Sequence, residues 1–222
     1  MFKKYIYDNT SPVSLATKLR LKRFALFKSL MVSICDSTRI KILDVGGTQD
    51  FWNKSAGLSE LGSVEITLMN VGEFQVTAPN IRSIVGDARN MKQLADKEFD
   101  VIFSNSVIEH VGSYEDQRRM ANEIKRVGKR YFVQTPNLYF PIEPHFVFPF
   151  FQFFPLQVKV WLITHLALGM RGKFTDRQKA NELVSEIRLL SKKEFVNLFD
   201  NAKIVEEKFL GLTKSFIAYE GW

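Results

Sequence analysis

From residue 40 onward the apolar positions come in short blocks, "KILDV", "VEITLMNV", "IRSIVGD", "FDVIFSN" and "RYFVQTP", each rich in Val, Ile or Phe. Polar or helix-like stretches separate them, a spacing that predicts crossover units and a mostly parallel sheet. Over 114–127, "YEDQRRMANEIKRV" places Met120, Ala121, Ile124 and Val127 on one helical face. Near the end, "SKKEFVNLFDNA" reads as a helix with Ser191 as N-cap and Glu194 three residues later, the two halves of a capping box. The last blocks, "KIVEEKFLG" and "TKSFIAYE", read as two strands joined at Gly211, an antiparallel pair.

Two segments stand outside this alternation. Residues 13–35 have helical spacing, with Leu15, Leu19, Leu26 and Leu30 on one side and Lys18, Arg20, Lys22, Arg23 and Lys28 among them. The apolar arc is wide, so this helix is expected to pack on the domain. Residues 139–170 hold six Phe between 146 and 154 and four of the seven prolines of the chain. Pro149 and Pro155 interrupt that segment, and the uncharged stretch between Glu143 and Lys159 is 15 residues, short of the ~20 that a spanning helix needs. A lid over an apolar pocket, a surface that dips into a bilayer and a core-packing elaboration all remain open for it.

Charge and cysteine content narrow the setting. The formal charge of +7 is concentrated in residues 1–35, where seven Lys or Arg face Asp8 alone. A local basic patch of that kind meets phosphate on nucleic acid, lipid or substrate, or is a solvated helix face. Cys35 is the single cysteine, which excludes an internal disulfide and a multi-cysteine metal site and fits a reducing, cytoplasmic setting. The start "MFKKYIYDNTSPVS" has no apolar run of signal-peptide length, so export is not expected. At 222 residues, without a repeat or a clear linker, one domain is expected.

In open parallel sheets ligands bind beyond the carboxyl ends of the strands. Those ends carry, in order, Asp44 with Gly46 and Gly47, then Asn70 and Val71, then Gly86, Asp87 and Ala88, then Ser104 and Asn105. With "ILDVGG", "ITLMNV", "VGDARNM" and "FDVIFSNSVIEHV" in this order and spacing, the chain resembles a class I S-adenosylmethionine-dependent methyltransferase over about residues 40–137. The resemblance implies an α/β, Rossmann-like, seven-stranded, mostly parallel sheet with an antiparallel C-terminal strand pair, a basic N-terminal helix and an aromatic-rich helical insertion after the fifth strand. The expected layout is one domain with an N-terminal helical extension at 1–37, a cofactor-binding core at 38–138, the insertion as substrate lid at 139–180, and the final helix and strand pair at 181–222.

The same resemblance implies S-adenosyl-L-methionine as cofactor. Gly46 and Gly47 would pass against its methionine portion, with Asp44 ordering the loop. Asn70 and Val71 would lie at the ribose, Asp87 and Ala88 would read the adenine, and Ser104 and Asn105 would face the methionine end. Two departures from the family pattern point to weaker cofactor binding: Thr48 and Asp50 stand where further glycines are usual, and Asn70 replaces an acid.

Methyl transfer to a hydroxyl needs an aligned acceptor and a base. His145, in "PIEPHF", is the expected base, with His110 of "IEHV" and Glu143 as the other catalytic candidates and His165 as a packing residue. No metal ligand set is expected. The run "VQTPNLYFPIEPHFVFPFFQFFP" is similar to methyltransferases of bacterial polysaccharide and glycolipid clusters. That similarity implies O-methylation of a small-molecule, sugar or carrier-linked hydroxyl by a cytoplasmic enzyme, peripheral at the inner membrane face through its basic N-terminus and phenylalanines. The alternatives are an RNA methyltransferase, for which the basic N-terminus speaks and the absence of an RNA-binding module counts against nucleic acid, and a non-catalytic lipid- or protein-binding domain.

Overall fold

The protein was analysed as a computed structural model that describes residues 15–34, 39–54, 64–169 and 172–222. Cys35, the basic residues Lys3 and Lys4, and Met170 lie outside the described residues. Helix α1 (Leu15–Val32) precedes strand β1 (Ile40–Val45), the short helix α2 (Gln49–Lys54), β2 (Val64–Asn70), β3 (Ile81–Val85) and β4 (Phe99–Asn105). After β4 follow α3 (Tyr114–Val127) and β5 (Gly128–Pro136). The insertion contributes β6 (Ile142–Glu143), β7 (Phe148–Pro149) and α4 (Leu156–His165). The chain closes with α5 (Arg177–Glu186), α6 (Lys192–Leu198), β8 (Lys203–Phe209) and β9 (Leu212–Glu220).

The main sheet is seven-stranded in the order β3-β2-β1-β4-β5-β9-β8. Strands β1 to β5 pair in parallel, β9 pairs antiparallel with β5, and β8 pairs antiparallel with β9. This is the Rossmann-like architecture expected above. Strand order reverses between β1 and β4, the place where open α/β sheets open a crevice for ligands.

Alternation along the buried strands feeds two apolar layers. One face carries Leu43, Ile102, Val133 and Ala218 against α3 and α6, which bury Met120, Ala121, Ile124, Val127 and Phe195. The helical face expected of 114–127 is the one that packs. Capping boxes start both helices, Ser113 with Asp116 on α3 and Ser191 with Glu194 on α6. The opposite face carries Ile42, Phe103, Phe132 and Ile217 against α1. Here the expectation needs correction. The seam of α1 is Phe24, Phe27 and Met31 rather than the leucines, with Leu26 and Leu30 only flanking it and Leu21 exposed. The reason is the aromatic floor: the Phe27 ring meets Phe103 at 4.8 Å and Phe132 at 5.3 Å between centroids, contacts that favour a planar side chain.

The insertion makes its own small core. Phe146, Phe151, Val160, Leu162 and Ile163 pack against Ala180 and Val184 of α5. Of the six clustered phenylalanines, Phe146 and Phe151 are buried while Phe150 and Phe153 stay about half exposed. Neither the β6–β7 pair nor α5 follows from the apolar spacing, because each buries only two or fewer residues of its own. Among the described residues, no helix is long and apolar enough to cross a membrane.

Candidate active site

The strand ends come out level. Val45 is in register with Met69 and with Ser104, the Gly46 amide donates to Met69 O at 2.8 Å, and the Gly86 amide donates to Asn70 O at 2.9 Å. Gly46, Asn70, Asp87 and Asn105 therefore leave the sheet along one edge. Gly46 has φ of +76°, and a Cβ there would fall 2.6 Å from a Val107 methyl carbon. At Gly47 a Cβ would fall 1.6 Å from Asp44 Oδ2. Both glycines are thus required by space, and at Gly46 also by backbone angle.

Asp44 is fully buried behind this loop, where its Oδ2 accepts from Trp52 Nε1 at 2.7 Å. Burial pushes its carboxyl up to about 7, with the Trp52 bond working in the opposite direction. Asn70 Nδ2 donates to Gly47 O at 3.0 Å, which holds the second strand end to the glycine loop and turns its amide oxygen elsewhere. Val71 is open to solvent and Ala88 is buried. Asp87 forms a half-exposed ion pair with Arg89 at 2.7 Å, and the Arg89 hydrogen bond holds its carboxyl below the usual range.

The end of β4 is organised by α1. Arg23 donates to Asn105 Oδ1 and, at 2.9 Å, to Gln134 Oε1, and pairs with Glu207 at 2.6 Å with both side chains nearly buried. Arg20 and Lys214 lie close by, and burial, first among the causes, lowers both. Of the basic residues on this helix, Arg23 is therefore engaged at the strand end and is not part of a solvated face. Packing of Phe24 and Phe27 turns Arg23 inward, leaving Lys18 and Lys22 as exposed cations of that helix. Ser104 is buried as well, and its Oγ has no hydrogen-bond partner among the described residues.

The three catalytic candidates meet. Glu143, 2 % exposed, accepts from the backbone amides of His145 and Phe146, each at 2.7 Å. Its Oε1 lies 2.6 Å from His145 Nδ1, and His145 Nε2 lies 3.1 Å from His110 Nε2. The two ring nitrogens of His145 are thus both engaged, Nδ1 with Glu143 and Nε2 with His110. Sequence reasoning missed a fourth member, Glu109, which is fully buried with Oε2 accepting from Thr135 Oγ1 at 3.0 Å. Burial, opposed by the neighbouring His145, pushes the Glu109 carboxyl up to about 7. It stands beside His110 in "IEHV", but a motif does not reveal that an acid is buried. His165 is exposed and stacks on Trp161 at 4.7 Å, so it is a surface residue and not the packing residue expected.

Glu143 also lines a cavity of about 310 Å³ between the insertion and α5, together with Leu138, Phe146, Phe151, Lys159 and Arg188. The cavity has mixed walls. Burial lowers the Lys159 amine, with Glu143 opposing the shift.

A family model described as a methyltransferase domain matches residues 48–131. Over those residues, less than half of its length, the chain is similar to that domain. A SAM dependent methyltransferase from Aquifex aeolicus has this fold at TM-score 0.50 and 14% identity over 90% of each chain. Solved structures with this fold include a carbon methyltransferase, DszA, at TM-score 0.58 and 15% identity over 99% of this chain and 60% of that one. They also include the magnesium protoporphyrin IX methyltransferase of Synechocystis with bound SAH, at TM-score 0.53 and 11% identity over 95% of this chain and 89% of that one. At such identities the likeness is one of fold. Two uncharacterized proteins of Mycobacterium tuberculosis are each 28% identical over 102 residues, 46% of this chain. The match spans about a third, 34%, of the length of these curated relatives.

Proposed function

We propose that this protein transfers a methyl group from S-adenosyl-L-methionine to a hydroxyl of a small-molecule, sugar or glycolipid acceptor. The observation that carries the reading is the array Glu143–His145–His110, in which His110 follows the end of β4 and Glu143 lines the cavity under the insertion.

The donor chemistry of the edge suits the cofactor. The Asn70 amide oxygen has no hydrogen bond among the described residues, so it is available to a ribose hydroxyl. The Asp87 carboxylate, at the following strand end, is available to an adenine amine on exchange with Arg89, and Ala88 packs beside it. Gly46 and Gly47 keep the main chain bare at the first strand end, where the methionine portion would lie, with Ser104 and Asn105 on its far side. When bound, the cofactor supplies an activated methyl group. The chain then has to hold an acceptor oxygen in line and loosen its proton.

His145 is the residue that activates the acceptor hydroxyl. Glu143 fixes its ring through Nδ1, in the manner of a carboxylate behind a catalytic imidazole, and His110 lies against the other nitrogen, Nε2. The cavity would take the apolar body of the acceptor and Lys159 an anionic group on it; its volume lies at the low end for small-molecule sites. Phe150, Phe153, Tyr139 and Trp161, each about half exposed or more, form an apolar surface on the insertion that suits a lipid carrier or the cytoplasmic face of a membrane.

Calorimetry with SAH and a turnover screen over sugar, glycolipid and RNA acceptors test this. Asp87→Ala should weaken SAH binding by about 1 to 3 kcal/mol. His145→Ala should lower turnover by roughly 10²- to 10⁴-fold with SAH affinity unchanged. Absence of SAH binding, or full turnover in the His145 variant, refutes the assignment.

A further inference from the structure

The histidine pair holds more than an imidazole hydrogen bond accounts for. The two rings stand perpendicular, at 89°, with centroids 4.8 Å apart. A straight Nε2–H···Nε2 bond of 3.1 Å would separate the centroids by about 5.4 Å. The two nitrogens are therefore not aimed straight at one another. Two bonds of about 2.1 Å to a shared ion, with nitrogens 3.1 Å apart, subtend an angle of about 95°, ordinary for imidazole ligands.

Independent of the histidines is Glu109. It is fully buried, and its Oε1 has no hydrogen-bond partner among the described residues. A buried carboxylate with a bare oxygen is costly unless a cation answers it. One ligand atom each from Glu109, His110 and His145 lies within 4.8 Å of the other two. That span exceeds the ~3 to 3.5 Å between ligands of one ion, and since the histidine nitrogens are already 3.1 Å apart, the slack lies with Glu109.

We propose that Glu109, His110 and His145 form a site for a divalent transition-metal cation, Zn²⁺ or a first-row neighbour of it, with a coordination position open toward the acceptor. Two imidazoles select such ions over Mg²⁺ or Ca²⁺, and two histidines with one carboxylate leave room for a substrate oxygen. Glu143 supplies the carboxylate that metal-binding histidines place behind their other nitrogen, here 2.6 Å from His145 Nδ1. Glu109 and Glu143 together balance a charge of +2. With the cation bound, His145 Nε2 is a ligand, so His145 acts on the acceptor through the cation that polarises its oxygen and not as a free base; that use rests on the methyl-transfer reading, the binding of the cation does not.

The test uses the full chain stripped with a chelator and titrated with Co²⁺ at pH 7.5, read by visible absorption and by calorimetry. One equivalent is expected to bind with the bands of a nitrogen- and oxygen-ligated ion. His110→Ala and Glu109→Gln should each weaken it at least 100-fold, and Glu143→Gln about 10- to 100-fold. Melting curves and SAH affinity of each variant report whether the fold is intact. If the wild type takes up no Co²⁺, or a His110→Ala/His145→Ala variant takes it up equally well, the metal site is overturned, and retained SAH binding would leave the methyl-transfer reading in place. Co²⁺ uptake without SAH binding would have the opposite meaning.

Discussion

Replacing Asp44 by Asn should remove a pH dependence of stability that the glycine loop imposes on this protein. The Asp44 carboxyl is buried beneath Gly47 and is pushed up to about 7, against about 4 in an unfolded chain. Below pH ~4 it is protonated in both states, and its contribution to stability is fully present. Between pH ~4 and ~7 the unfolded chain releases the proton while the folded chain keeps it, so stability falls as pH rises. Above about 7 the loss is complete. A shift of roughly three units corresponds to about 4 kcal/mol. Asp44→Asn retains an amide oxygen for the Trp52 indole N–H and has nothing to titrate. Urea unfolding of both proteins without cofactor, at intervals from pH 4 to 8, gives the difference in stability between them. That difference should move in favour of the variant by about 3 to 4 kcal/mol across the window. Glu109 titrates in the same range but is common to both proteins, so it cancels. Parallel curves would refute a neutral, buried Asp44.

Three further outcomes are expected. Gly47→Ala should displace the Asp44 carboxylate and break its bond to Trp52, costing about 1 to 3 kcal/mol in unfolding experiments and weakening SAH binding; a variant with wild-type melting and affinity would show that the loop has room. Arg23→Gln should destabilise by about 3 to 5 kcal/mol because it strands the nearly buried Glu207, and 0.5 M salt should change the wild-type pair little; a surface-sized effect would contradict the burial. Lys18→Gln with Lys22→Gln should reduce binding to anionic vesicles in a cosedimentation assay, and the wild-type interaction should fade with salt; salt-independent binding would point to the exposed aromatics instead.

The apolar blocks and their spacing were enough to specify the sheet, because a strand buried on both faces must be a short, almost continuous run of Val, Ile and Phe. Ile42, Leu43, Phe103 and Phe132 show that composition directly. Capping is local too: Ser191 and Glu194 are three residues apart and need nothing from the rest of the chain to be recognised. The order of polar residues at the strand ends was legible for the same reason, since strand ends and the turns after them are written in adjacent residues. Other features depend on contacts between distant parts of the chain. Arg23 meets Glu207 across 184 positions, and no periodicity in α1 says that an arginine among lysines will turn inward. Glu109 is an ordinary acid in sequence and becomes an unusual one through burial beside His145. His110 and His145 are 35 residues apart, and only the return of β5 and the insertion over the end of β4 brings their nitrogens together. Sequence records which groups are present and how they repeat, while burial, charge neighbours and the approach of remote side chains arise only when the sheet closes its layers.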